Sequence, residues 1–359
     1  MRNVILKVHL YLGLTAAIFL VILGLTGAII AFEGDADHWM HPSLWYAKGG
    51  PRTLPEANLI RAAQEKFAPA RVAGVQIPRN KSLVHVMQMS DRASVYVNPY
   101  DGLIQGRTTG PSGTERTLAF IHQVHLRLAG DPRSSFSPIG KTIISYAGLL
   151  LVILVPTGFV LWWRTRRASV NWSGSWFRIC FDAHHAIGLY SMLFLFVAGA
   201  TGVLIGFDWG EKTIYAMTNS HPPDFRTKPP QSIPKTGATP IDADRAMEIA
   251  RGAMPEATVA AVQLPLGPKA AYNVQMRVPE ESSEAVHSTV TIDQYSGQVL
   301  KIKNFKTDSQ GYRWIRFNRS IHTGDVLGTP THILMSLSSL LLVAMAVTGI
   351  VIWWKKLAV

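Results

Sequence analysis

Two histidines stand at matching places inside apolar runs. His9 lies in Val8 to Asp35, VHLYLGLTAAIFLVILGLTGAIIAFEGD, and His184 in Ala183 to Gly210, AHHAIGLYSMLFLFVAGATGVLIGFDWG; the two stretches align without a gap. The alignment pairs His9 with His184, Gly13 with Gly188, Gly24 with Gly199, Thr26 with Thr201 and Gly27 with Gly202, and each copy closes on an acid, Glu33 or Asp208. At about 100° per residue His9, Gly13, Ala16, Leu20, Gly24 and Gly27 share one narrow stripe of a helix, and His184, Gly188, Ser191, Leu195, Gly199 and Gly202 share the other. An ionisable ring in an apolar span is expensive and normally faces the bundle interior with a partner. With glycine one turn on, at Gly13 and Gly188, a flat macrocycle can lie against the backbone while the imidazole reaches its metal, which is a haem geometry. A hydrogen-bonded core histidine is the competing reading. For Gly24 and Gly27, close packing of membrane helices is explanation enough.

A second pair of histidines follows the same logic. Arg313 to His322, RWIRFNRSIH, matches Arg116 to His125, and each ends a stretch that approaches a later apolar run. Bis-histidine ligation by neutral imidazoles holds electron-transfer haem, so two haem b groups are expected, His9 with His184 and His125 with His322, these four ligating the iron. Three further histidines form a second tier. His122 is one turn before His125 and corresponds to Arg319; His185 points about 100° away from His184; His332 stands at the mouth of the last apolar run, as the substitute for His322. His38, His41, His85, His221 and His287 read as solvated or hydrogen-bonded. Haem propionates need cations at the rim, for which Lys7 and Arg178 are candidates at one end and Arg127, Arg313, Arg316 and Arg319 at the other, ordinary interfacial anchoring being the alternative. The single cysteine, Cys180, excludes an internal disulfide and a C-x-x-C-H attachment, so any haem is non-covalent. No catalytic residue is assigned.

The elements that must position these rings follow from hydropathy. Of 359 residues, 48% are hydrophobic and 16% charged, and four runs reach the roughly 20 residues needed to span a bilayer. The expected fold is membrane α-helical, a four-helix transmembrane bundle built from two tandem repeats, each carrying an α+β domain. Its segments are a first span at 1–33, a polar domain with an interfacial helix at 34–138, a second span at 139–165, a link at 166–182, a third span at 183–208, a second polar domain with an interfacial helix at 209–329, and a last span at 330–359. In the polar domains Leu54 to Phe67 and Ile241 to Met254 have helical spacing. RVAGVQIP, SLVHVMQM and ASVYVNPYDGLIQG read as strands, answered by VAAVQLP, AYNVQMRV and STVTIDQYSGQVLK. The stretch from His221 to Pro240 reads as a loop, and Pro156 predicts a bend in the second span.

Charge sets orientation. Arg2, Lys7, Arg164, Arg166, Arg167, Arg178, Lys355 and Lys356 flank the spans on one side, which predicts both termini in the cytoplasm and the polar domains on the outer side of the membrane. The net charge of +12 partly reflects this bias. No alternation of basic and aromatic residues suggests a nucleic-acid groove, and no glycine-rich phosphate loop follows a strand. The electron donor is therefore expected to be a separate molecule, a quinol or a cytoplasmic reductase.

The HxxxG-opened span, the Thr-Gly ends of the runs, IHTGDVLG before the last span, and the segments VYVNPYDG and VTIDQYSG resemble the PepSY-associated transmembrane family over nearly the whole chain. Within it the chain is similar to the bacterial inner-membrane ferrisiderophore reductases, whose PepSY-like domains face the periplasm. That resemblance implies a haem-dependent oxidoreductase whose periplasmic acceptor is a ferric siderophore, with PepSY-like domains outside. Three other readings stay open: a quinone-linked oxidoreductase with another acceptor, a non-enzymatic PepSY binding module anchored by its spans, and a haem or metal transporter.

Overall fold

The computed structural model describes residues 2–50, 52–224, 229–234, 237–279 and 288–357. In chain order the helices are α1 (Arg2–Ile30), α2 (Glu33–Met40), α3 (Pro42–Trp45), α4 (Glu56–Lys66), α5 (Gly113–Arg127), α6 (Ser137–Thr165), α7 (Trp176–Gly206), α8 (Asp208–Met217), α9 (Ala243–Ala253), α10 (Gln310–Thr323) and α11 (Thr329–Leu357). The strands are β1 (Val72–Gln76), β2 (His85–Met89), β3 (Ala93–Val97), β4 (Ile104–Thr109), β5 (Thr258–Gln263), β6 (Tyr272–Arg277), β7 (Ser288–Ile292) and β8 (Val299–Lys303). The chain divides into two compact units, a helical one (1–33, 116–221, 310–359) and a sheet unit (34–115, 222–309).

In the helical unit α1, α6, α7 and α11 are each long and apolar enough to cross a membrane. Helix α1 packs on α6 and α11, and α7 packs on the same two. Their shared core is small and aliphatic, with Ala16, Leu20, Leu151, Leu154, Leu195 and Leu342 buried. The outer faces carry exposed Ile18, Leu193, Ile333 and Leu340, the reverse of a soluble bundle and what lipid requires. Gly24 is a packing glycine. A Cβ there would stand 2.6 Å from the Ser339 carbonyl oxygen of α11, so only glycine allows the two backbones to approach so closely.

One span boundary differs from the sequence reading. Helix α7 begins at Trp176 rather than at 183, because Ser175 caps it through the Arg178 amide and because Asp182 is neutralised on the helix. Its buried carboxylate receives Arg167 Nη1 at 2.7 Å and Arg178 Nε at 2.8 Å. Hydropathy alone places such charges in a link. Helix α6 is continuous through Pro156, as the expected bend supposes, at the cost of one backbone hydrogen bond of that helix.

In the sheet unit eight antiparallel strands form a single sheet in the order β4-β3-β2-β1-β5-β6-β7-β8. The sequence reading contains both sets of strands but not the joint between them, where Gly74 pairs with Gln263, Val75 with Val262 and Gln76 with Ala261. Alternation along the strands sorts the faces. Met87, Met89, Val95 and Val97 meet Leu59 and Ala63 of α4 and Met247 and Ala250 of α9 in one core, whereas Val86 and Tyr96 turn to the other face and pack with Leu44 and Trp45. The Asp244 carboxylate accepts from the Glu56 and Ala57 amides, both at 2.9 Å, and so caps α4. Two hairpin turns match: Gly102 at φ +74° and Gly297 at φ +71° take the left-handed conformation that glycine allows, after Asn98 and Asp293, whose side chains accept from Tyr100 N and Tyr295 N. Of the loop expected at 221–240, residues 225–228 and 235–236 lie outside the described residues, and the rest holds no helix or strand.

Candidate functional site

Each of the four first-tier histidines is seated on a Thr-Gly step of a neighbouring helix. His9 of α1 places Nδ1 3.1 Å from Thr157 Oγ1 of α6, and His184 of α7 places Nδ1 3.0 Å from Thr348 Oγ1 of α11. His125 of α5 meets Thr26 of α1 at 2.8 Å, and His322 of α10 meets Thr201 of α7 at 3.0 Å. The glycine of every step faces the edge of the ring: a Cβ at Gly158, Gly349, Gly27 or Gly202 would stand 3.1 to 3.3 Å from the Cε1 atom of its histidine. Gly27 is thus a seat for His125, not only a packing residue like Gly24.

These contacts make two levels. His9 and Thr26 are seventeen positions apart on α1, as are His184 and Thr201 on α7, about 25 Å along a helix and close to the roughly 30 Å thickness of a hydrocarbon core. At the level near the chain termini the His9 and His184 rings come together, 6.4 Å between centroids and with planes at 86°. At the far level burial pushes the His125 imidazole down to about 3, and the neighbouring His322 and His122 rings act the same way. Burial lowers His322 too, partly opposed by the Ala198 carbonyl. Both far-level rings are therefore neutral at physiological pH, the state in which imidazole binds metal.

The chemistry of the donor set fits a macrocyclic metal centre. With Nδ1 committed to threonine, Nε2 of all four rings accepts and donates no hydrogen bond among the described residues. Among the described residues no group of three or more His, Cys, Asp or Glu side chains that could hold a bare ion occurs; a porphyrin, with four nitrogens of its own, would need only a histidine pair from the protein. Gly13 has open space, since a Cβ there would have Leu154 Cδ2 as its nearest neighbour at 3.7 Å, whereas one at Gly188 would meet the flexible end of Met345 at 3.0 Å.

The second-tier histidines are held differently. His122 Nδ1 lies 2.6 Å from the Glu33 carboxylate. His185 Nδ1 meets the Phe181 carbonyl at 2.8 Å. His332 stacks on Phe32 at 5.2 Å and faces Asp325 at 3.4 Å, with its Nε2 buried and unbonded. None of the three rests on a Thr-Gly step. Among the propionate candidates, Arg178 is held by Asp182, Lys7 and Arg313 are exposed, and Arg127 reaches Ser137 Oγ while its Nε is buried without a hydrogen bond. Arg316 and Arg319 line a pocket with Lys141 and Asp208, which pair at 2.7 Å. His38, His41 and His85 face Asp35, Asp37 and Glu56, and His287 lies outside the described residues.

Sequence reasoning used the four threonines only as alignment marks and did not assign them to the histidines. The available signal was numerical: one Thr-Gly step in each of four apolar runs, and one histidine for each step. None of the curated proteins compared with the chain matches it. The family model for the PepSY-associated TM region matches residues 6–356, taking in all four spans, both levels of histidines and the intervening sheet unit, and on that match the chain belongs to the PepSY-associated TM region family.

Proposed function

We propose that this membrane protein carries electrons across the bilayer on two b-type haems, His9 and His184 holding one and His125 and His322 the other. The observation that carries the reading is the two levels of paired imidazoles, every ring fixed at Nδ1 and open at Nε2. Bound there, haem supplies a one-electron Fe(III)/Fe(II) couple. The protein's own part is to hold the rings neutral, to keep water from them with an aliphatic core, and to leave Gly13 and Gly188 without side chains where a flat group would lie. We read the chain as two tandem copies, each with a PepSY-like domain, set in a bacterial inner membrane with termini in the cytoplasm and the sheet unit in the periplasm; the basic flanks support that orientation.

A separate donor, a quinol or a cytoplasmic reductase, is oxidised at the terminal side. On family resemblance the acceptor is a ferric siderophore, each Fe(III) taking one electron to become Fe(II), which hard oxygen ligands hold less tightly. The test is a pyridine haemochrome assay on protein expressed with ample haem, followed by reoxidation of the reduced protein. Close to two haems per chain, and Fe(II) trapped by a ferrous chelator when ferric siderophore is added, are expected. Absence of haem overturns the reading; haem that reoxidises with a quinone analogue but not with ferric chelates replaces the acceptor.

A further inference from the structure

The hydroxyls of Thr26, Thr157, Thr201 and Thr348 have a constraint in common that reaches the metal-facing side of the histidines. A threonine hydroxyl has one proton, and each of these gives it to the carbonyl four residues earlier on its own helix: Ile22 at 2.6 Å, Ile153 at 2.8 Å, Val197 at 2.6 Å and Ala344 at 2.7 Å. Toward the histidine the oxygen can then only accept. The Ala198 carbonyl, three residues before Thr201, also lies 3.1 Å from His322 Nδ1 and is likewise only an acceptor. Nδ1 must carry the ring proton at all four sites. The lone pair is then on Nε2.

We propose that Thr26, Thr157, Thr201 and Thr348 are positioning residues that lock their histidines in the Nδ1–H tautomer, so that each presents a basic Nε2 to a ligand-seeking metal, with the adjoining glycine fixing the ring's depth. The proposal rests on the haem reading above. It gives a physical role to a dipeptide that helix packing alone does not require four times over. A hydrogen bond accepted from Nδ1–H pushes electron density toward Nε2, which favours the ferric state, and loss of such a partner typically costs 10- to 100-fold in metal affinity.

The experiment compares Thr→Val with Thr→Ser at each position in the full-length protein, reading haem affinity from the Soret band and the midpoint potential from a redox titration. Valine keeps the shape and suits an apolar span; serine keeps the hydroxyl. Expected is a 10- to 100-fold weaker affinity at the affected level in the valine variants, with the midpoint moved positive, and near wild-type values in the serine variants. The loss should be smallest in Thr201→Val, where the Ala198 carbonyl remains. Valine variants equal to wild type in both readouts overturn this role and leave the haem reading standing, as do serine variants that lose as much as valine ones. Wild-type protein that takes up no haem overturns the proposed function and this role with it.

Discussion

At the scale of single residues, the seat matters more than the histidine. His322 and His332 sit at the same end of the helical unit, but His322 rests on Thr201 and Gly202 while His332 is turned to Asp325 and stacked on Phe32. On the proposed haem reading, His322→Ala should abolish the low-spin spectrum of one haem, as should His125→Ala, while His332→Ala should leave both spectra in place. Low-spin spectra kept in His322→Ala and lost in His332→Ala would exchange the two assignments. The glycines permit a finer probe. In Gly27→Ala a methyl would arrive 3.1 Å from His125 Cε1, so the ring must give by a few tenths of an ångström, and a lowered haem affinity at that level with an intact fold is the expected outcome of a Soret titration.

At the scale of elements, the turn between β7 and β8 hangs on one carboxylate. Burial opposes ionisation of Asp293, but hydrogen bonds from Ser296, Ile233 and Tyr295 outweigh it and hold the carboxyl at about 2. That lies below its unfolded value of about 3.9, so the stabilisation is fully present above about pH 4 and is lost as pH falls through 2. The matching turn uses Asn98 in the same place. Asp293→Asn should therefore fold, lose about 2 kcal/mol near neutrality, and converge with wild type near pH 2, as followed by chemical unfolding at a series of pH values. A deficit that stayed constant down to pH 2 would assign it to packing. Helix α7 makes a similar point: in its first turns Asp182 is buried with its charge met by Arg167 and Arg178.

At the scale of the whole molecule, the chain enters the sheet unit twice, and β1 and β5 turn two sets of strands into one sheet. The joint is tight at Gly74, where a Cβ would stand 3.2 Å from the Val262 carbonyl oxygen. Gly74→Val should strain it, costing about 1 to 3 kcal/mol as overpacking does, and because the sheet is continuous the loss should spread. Hydrogen exchange is expected to quicken in β2 and in β6 alike; quickening confined to β1 and β2 would mean that the two sets of strands are stable independently. In the helical unit the same kind of contact joins α1 to α6 and α7 to α11 at one level, and α5 to α1 and α10 to α7 at the other, so that α1 and α7 each give a histidine at one end and receive one at the other.

What the sequence determined by itself was periodic or local. Four apolar runs, the stripe with its histidines, and the alternation of the strand segments are all written within about thirty residues, where helix and strand geometry act directly. Membership of the family follows from that pattern over nearly the full length. The partners of the histidines were not legible, since Thr157 is 148 residues from His9, Thr348 is 164 from His184, Thr26 is 99 from His125 and Thr201 is 121 from His322. Nor was the β1–β5 joint, because a strand alternates in the same way whether its edge is paired or free. Tertiary structure decided both for one reason: a hydrogen bond between distant segments leaves no periodic mark on either, and exists only once packing has brought the two together.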